Sequence, residues 1–237
     1  MKLPIDMQDN LVFLPGLLCD ARVFSPQVKA LEDRAQITVP DLTPYHSIEE
    51  MARGVLDQAP PKFSLCGFSM GGQAAMEIAL QAPERVERLA LIETTGLRIP
   101  AGIRERWKVG IDRINRGNFL GYVKGAFAIY FKAEPTIDPA IKQTYMDMAL
   151  EIGPLIAIRH MKALMNYQRN GEKLANIKCP TTIIGGDDSM VFSLEVHRRM
   201  ATAFPHATLV IINNTGHFVP LEQPEATTTA LEHWLDT

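Results

Sequence analysis

Cysteine is scarce in this chain of 237 residues, with only Cys19, Cys66 and Cys179 present. An odd and small number offers no disulfide framework and fits a reducing compartment, so the cytoplasm is the expected location. No apolar run approaches the about 20 residues that a membrane-spanning helix needs. The opening Met1-Lys2-Leu3-Pro4-Ile5-Asp6 has no apolar core of the kind a secretory leader carries. Positive charge is not in excess, and a net charge of −3 gives nucleic acid nothing to grip. There is no His-Glu-x-x-His, no Cys-x-x-Cys and no histidine pair at ligand spacing. No Gly-x-Gly-x-x-Gly follows a strand, so no metal, cofactor or dinucleotide is expected. Repeats and low-complexity segments are missing too.

What the chain does contain is ordinary globular material, 46% hydrophobic and 22% charged, in an amount suited to one well-buried domain or one domain with an insertion. Short β-rich runs alternate with helical stretches. Residues 11–14, 36–39, 63–66, 89–92, 181–184 and 208–212 are six candidate strands, apolar on both faces. Helices are expected near 25–33, 47–58, 72–82, 193–203 and 224–235. That alternation predicts an α/β fold, a doubly wound and mainly parallel sheet. It breaks between about Leu97 and Gly171, where four helical segments replace any strand. Asp138-Pro139 reads as an N-cap with proline at the first helical position, Gly153-Pro154 opens another helix, and Asn170-Gly171 closes it. The expected division is a core of residues 1–96 and 172–237 with a helical cap over 97–171, inserted between the fourth and fifth strands. Residues 98–173 hold 13 Lys/Arg against 7 Asp/Glu, so the insert is basic and the remainder acidic.

Chemistry concentrates in Gly67-Phe68-Ser69-Met70-Gly71-Gly72, set between a strand and a helix. This is the pattern of a nucleophile elbow, in which bare glycines permit a tight turn and the serine hydroxyl projects outward. A serine needs a base to take its proton, and the base needs an acid to fix its tautomer. Of six histidines, His217 stands out because it follows the last strand in a polar turn, where open α/β sheets collect ligands. His197 falls among the helix histidines. Three acids are candidates: Asp187 and Asp188 after the penultimate strand, and Glu93 at the end of the strand before the insert. Backbone N–H groups of Met70 and Leu17 are the expected oxyanion donors, with Gly16 turning the chain towards the elbow.

Together these residues resemble the α/β-hydrolase superfamily, in particular its small capped members. The resemblance rests on Leu14-Pro15-Gly16-Leu17-Leu18, the Ser69 elbow, residues 83–92, residues 179–185, Asp188, and Gly216-His217-Phe218 followed by Leu221-Glu222-Gln223-Pro224. It covers about 1–96 and 172–237. The stretch 51–98 is similar to carboxylesterases acting on acyl-carrier methyl esters and to enol-lactone hydrolases. The family's Gly-x-x-Asp spacing implies Asp188 as the acid. Two departures stand out. Pro15-Gly16 replaces the His-Gly of many relatives, and only ten residues precede the first strong strand. Six strands without the N-terminal antiparallel hairpin are therefore expected, and an extra strand over residues 3–5 would count against this.

The resemblance implies a serine hydrolase of a carboxylic ester, thioester or lactone. Its catalytic residues would be Ser69, Asp188 and His217. Expected partners are a small ester-like molecule, with an anionic or carrier-linked one among the options, and no nucleic acid or membrane. The chain is expected as a monomer or homodimer. An acyltransferase, a carbon–carbon bond hydrolase and a non-catalytic receptor on the same fold are the alternatives. Met146, Met148, Met161 and Met165, with Trp107, Phe119, Phe127 and Tyr167, offer apolar lining or ordinary packing in the insert.

Overall fold

The computed structural model describes residues 9–131, 137–168 and 171–237. Six strands, β1 (Asp9–Leu14), β2 (Ala35–Thr38), β3 (Phe63–Phe68), β4 (Val86–Ile92), β5 (Thr181–Gly186) and β6 (Ala207–Ile212), make one sheet in the order β2-β1-β3-β4-β5-β6. Every neighbouring pair is parallel. The six-stranded α/β architecture expected from the alternating pattern is therefore the one found. The extra strand weighed for residues 3–5 lies outside the described residues, as does Asn170.

Helices on both faces cover the sheet: α1 (Ser25–Leu31), α2 (Ile48–Leu56), α3 (Met70–Gln81), α7 (Leu194–Ala203), α8 (Val219–Glu222) and α9 (Pro224–Leu235). Double cover explains why β3 and β5 are buried at every position. The outer strands differ from expectation. β2 and β6 are half-exposed, because an edge strand has a neighbour on one side only. Local chemistry starts the helices where the sequence indicates. Ser47 accepts a hydrogen bond from Glu50 N–H at 3.1 Å, while Glu50 reaches back to His46 N–H at 2.8 Å.

Between β4 and β5 the chain forms α4 (Ala101–Asn115), α5 (Phe119–Tyr130) and α6 (Pro139–Asn166), which pack on one another. Asp138 caps α6 by accepting from Ala140 N–H at 2.8 Å, with Pro139 at the first position. Gly153 breaks α6 into two helices at φ 77° and ψ 170°, and Pro154 restarts it, so the described residues of the insert form four helical segments. Met148 and Met161 are fully buried packing residues. Among the described residues, no helix is long and apolar enough to cross a membrane.

Because all six strands run the same way, their C-terminal ends share one edge of the sheet. The segments that follow β1, β3, β4 and β6 carry Leu17, Ser69, Glu93 and His217 to that edge.

Candidate active site

Ser69 sits between β3 and α3 with φ 52° and ψ −111°, a conformation that L-residues rarely adopt. Its backbone is held on both sides. Ser69 N–H donates to Ile92 O at 2.9 Å, and Thr94 Oγ1 donates to Ser69 O at 2.7 Å. Gly71 packs directly on the end of β1, where a Cβ would overlap the Leu14 carbonyl. The elbow therefore requires glycine at that position for steric reasons. Met70 opens α3, where a first-turn N–H has no intrahelical acceptor.

His217 lies in the loop after β6. Its Nε2 is 3.0 Å from Ser69 Oγ, and its Nδ1 is 2.8 Å from Glu93 Oε2. The main chain anchors it through His217 N–H to Tyr130 O at 2.7 Å, at the end of α5. Glu222 braces the loop by accepting from Gly216 N–H at 3.2 Å and Phe218 N–H at 3.0 Å. That accounts for the Leu221-Glu222-Gln223-Pro224 motif close behind the histidine. Rings of Phe68, Tyr130 and Phe192 stand 5.2, 5.4 and 5.9 Å from the imidazole centroid and shield it from water.

The expected acid, Asp188, is not at His217. Asp187 and Asp188 are both exposed beyond β5. Asp188 engages the histidine loop through its backbone N–H to Thr215 O at 3.1 Å, and the Asp187 carboxylate accepts from Thr215 N–H at 3.3 Å. Glu93 holds the place instead. Its backbone turns at φ 46° immediately after β4 and drives the side chain under His217. The carboxylate is completely buried and accepts four hydrogen bonds, two on each oxygen. Gly186 N–H at 2.7 Å and His197 Nε2 at 2.9 Å meet Oε1. Ser189 Oγ at 2.7 Å and His217 Nδ1 at 2.8 Å meet Oε2. Burial alone would raise the Glu93 carboxyl; hydrogen bonds donated by His197 and His217 overcome it and hold the group below the usual glutamate value.

Sequence reasoning missed His197 and Ser189. The one available signal for His197 was its position on the buried face of α7, three residues before Met200. Nothing local marks Ser189.

A cavity of about 520 Å³ opens above Ser69 and His217. Leu17 lines it from the turn after β1, where Cys19 N–H closes on Gly16 O at 3.2 Å. The insert supplies Ile103, Trp107, Tyr122 and Leu164, and Arg106 and Arg113 stand in the lining with Glu105. Burial pushes the Tyr130 phenol up to about 12, so at neutral pH this lining hydroxyl is protonated and does not compete with His217 as a base. Among the described residues no three His, Cys, Asp or Glu side chains come together in a way that could hold a metal ion.

A serine, a histidine and a buried carboxylate in hydrogen-bonded sequence at the open end of a parallel sheet agree with the comparison to known families, in which residues 11–230 match the alpha/beta hydrolase family. The chain belongs to that family. It is an enzyme, a hydrolase of this fold. A pimeloyl-[acyl-carrier protein] methyl ester esterase of Nitrosomonas europaea is 26% identical over 236 residues, covering 91% of each chain. The esterase of the same name from Nitrosospira multiformis is 27% identical over 75% of this chain and 70% of its own. Among solved structures, the enol-lactonase from Burkholderia xenovorans superposes with a TM-score of 0.88 at 20% identity, over 100% of this chain and 95% of that one. At that identity the superposition speaks for the fold.

Proposed function

We propose that this α/β-hydrolase cleaves a carboxylic ester, thioester or lactone of a small to medium acyl group through an acyl-enzyme on Ser69. The observation that carries the reading is the continuous path Ser69 Oγ–His217 Nε2 and Nδ1–Glu93 Oε2, with bonds of 3.0 and 2.8 Å, facing a largely apolar cavity. Ser69 Oγ attacks the carbonyl carbon while His217 Nε2 takes its proton. Glu93 fixes the imidazole with its Nδ1–H inward and stabilises the imidazolium. Backbone N–H groups of Met70 and Leu17 receive the oxyanion. The tetrahedral intermediate collapses, the proton passes to the leaving alkoxide or thiolate, and the acyl group stays on Ser69. Water then repeats the sequence in reverse roles and frees the acid and the serine.

In this reading residues 97–171 act as a cap that closes the cavity over the acyl group. Two arginines, Arg106 and Arg113, against the one carboxylate Glu105 in its lining, the basic charge of the insert, and relatives named for acyl-carrier methyl esters all favour an anionic or carrier-linked substrate. Three unpaired cysteines support a cytoplasmic location.

A fluorophosphonate probe tests the mechanism. It should label Ser69, and Ser69→Ala and His217→Ala should each lower turnover of a short p-nitrophenyl ester by about 10⁴-fold. Appreciable activity in Ser69→Ala against every ester tried would end the proposal. Turnover that depends on an added alcohol or thiol would instead reassign the acyl-enzyme to transfer.

A further inference from the structure

The Glu93 carboxylate is shared between two imidazoles, and the relay described above uses only one of them. His197 comes from α7, which packs on β5 and β6, and is fully buried. Its ring packs over Gly185, where a Cβ would overlap the imidazole. Its Nε2 lies 2.9 Å from Glu93 Oε1, while its Nδ1 is buried with no hydrogen-bond partner.

We propose that His197 is a positioning residue for this hydrolase, held as the neutral Nε2–H tautomer, whose bond to Oε1 keeps Glu93 turned with Oε2 on His217. The inference rests on the hydrolytic reading of the Ser69 site. Charge is what fixes the protonation state. One carboxylate compensates one positive charge, and during acyl transfer that charge must appear on His217. A second imidazolium on Oε1 would repel it across the carboxylate. The bare Nδ1 agrees, since a buried N–H there would have no acceptor. A glutamate has three side-chain torsions, and Gly186 N–H alone would leave Oε1 with one donor where the site provides two.

The charged groups around the pair leave this balance to the three side chains. Asp187 and Asp188 beyond β5, Glu195, Arg198 and Arg199 on α7, and Glu172 and Lys173 of the turn packed against α7 are all exposed.

Two variants separate the bond from the packing. His197→Gln places an amide N–H near the Nε2 position, and His197→Leu fills the space without a donor. With a short p-nitrophenyl ester, His197→Leu should lose about 10- to 100-fold in kcat with KM little changed, the loss of a charge-assisted buried hydrogen bond. The acid limb of its kcat/KM profile should move to higher pH, because a carboxylate relieved of one donor draws the proton more strongly onto His217. His197→Gln should restore most of both. A folded His197→Leu with wild-type kcat and pH profile would overturn the proposal, and so would a His197→Gln as impaired as His197→Leu.

The wild-type protein supplies a measurement that needs no variant to fold. Imidazole ¹⁵N shifts of His197 should report Nε2 protonated and Nδ1 bare across the active pH range; an Nδ1–H tautomer or an imidazolium would overturn the idea. These arms also keep the two readings apart. If wild type turns over no ester, the hydrolytic reading fails and the ¹⁵N shifts still decide the His197 bond. If wild type is active and His197→Leu matches it, only the present inference falls.

Discussion

Strain is concentrated where the chemistry is. Among the described residues, the non-glycine residues with positive φ are Leu18 at 63°, Ser69 at 52°, Glu93 at 46° and Asn214 at 58°. Each follows a strand end at the edge that carries the site. Such conformations cost of order 1–3 kcal/mol apiece and persist only where the surroundings over-determine them. At Ser69 the hydrogen bonds to Ile92 and Thr94 do so, and at Glu93 the four bonds on the carboxylate do. The acid test follows directly. Glu93→Gln leaves the shape intact but puts an amide opposite Nδ1, so it should cost about 10²- to 10⁴-fold in kcat, as a wrong-tautomer substitution does in other triads. Asp188→Asn and Asp187→Asn should stay within a few-fold of wild type. Steady-state kinetics on the three proteins decides it, and a larger loss from Asp188→Asn would restore the acid that spacing implied.

The break in α6 fixes an angle between its two halves. Gly153 holds φ 77° and ψ 170°, a region almost closed to residues with a Cβ, and Pro154 starts the following helix with a fixed φ and no N–H to satisfy. The second half of α6 carries Leu164 to the cavity wall and His160 into the interior, so the angle at the break sets how the insert lines the cavity. Gly153→Ala should therefore lower stability by about 1–3 kcal/mol and loosen the insert against the cavity, read as a drop in Tm together with a raised KM. Gly102→Ala serves as the control for Tm alone, since a Cβ there meets the open space of the cavity within an ordinary helix. Equal Tm values for the two variants would remove the strain argument.

The insert is tied to the rest of the chain at several points away from the site. Arg22, just after the Leu17 turn, spans Asp20 at 2.5 Å and Glu151 of α6 at 2.6 Å. Tyr167 donates to Glu77 of α3 at 2.9 Å, and Arg159 donates to Thr43 O. His160 donates from Nε2 to Leu42 O at 3.2 Å. The surface ion pair adds little, as exposed pairs do. His160 is different because burial lowers its pKa to about 4 from an ordinary 6.5. The unfolded chain therefore binds this proton first. Stability should fall as pH drops from 6.5 towards 4, by up to ~3 kcal/mol from this group, and level off below. Glu93 adds a second, more acidic window. Its folded pKa is depressed, so its contribution is present above the ordinary glutamate range and fades as pH falls through the depressed value. Tm measured against pH should show a slope between 6.5 and 4 that His160→Gln flattens; an unchanged slope in that variant would refute the assignment.

Much of this was readable along the chain. Strand and helix order, the elbow at Ser69, the turn at Gly16 and the break at Gly153-Pro154 are local patterns, written in apolar periodicity and in the few residues that tight turns accept. The histidine loop was legible for the same reason, a polar turn behind a terminal strand. The exposed faces of β2 and β6 were not, because edge position is a property of strand order across the sheet. Nor was the acid. Asp188 and Glu93 both follow neighbouring strands, and which carboxylate reaches Nδ1 depends on a single positive φ and on donors from β5, the Ser189 loop and α7. By itself the sequence determined that a serine would stand at an elbow with a histidine downstream. Only the tertiary structure decided which carboxylate completes them and that a second histidine attends it, because a buried charge settles where donors from distant segments converge.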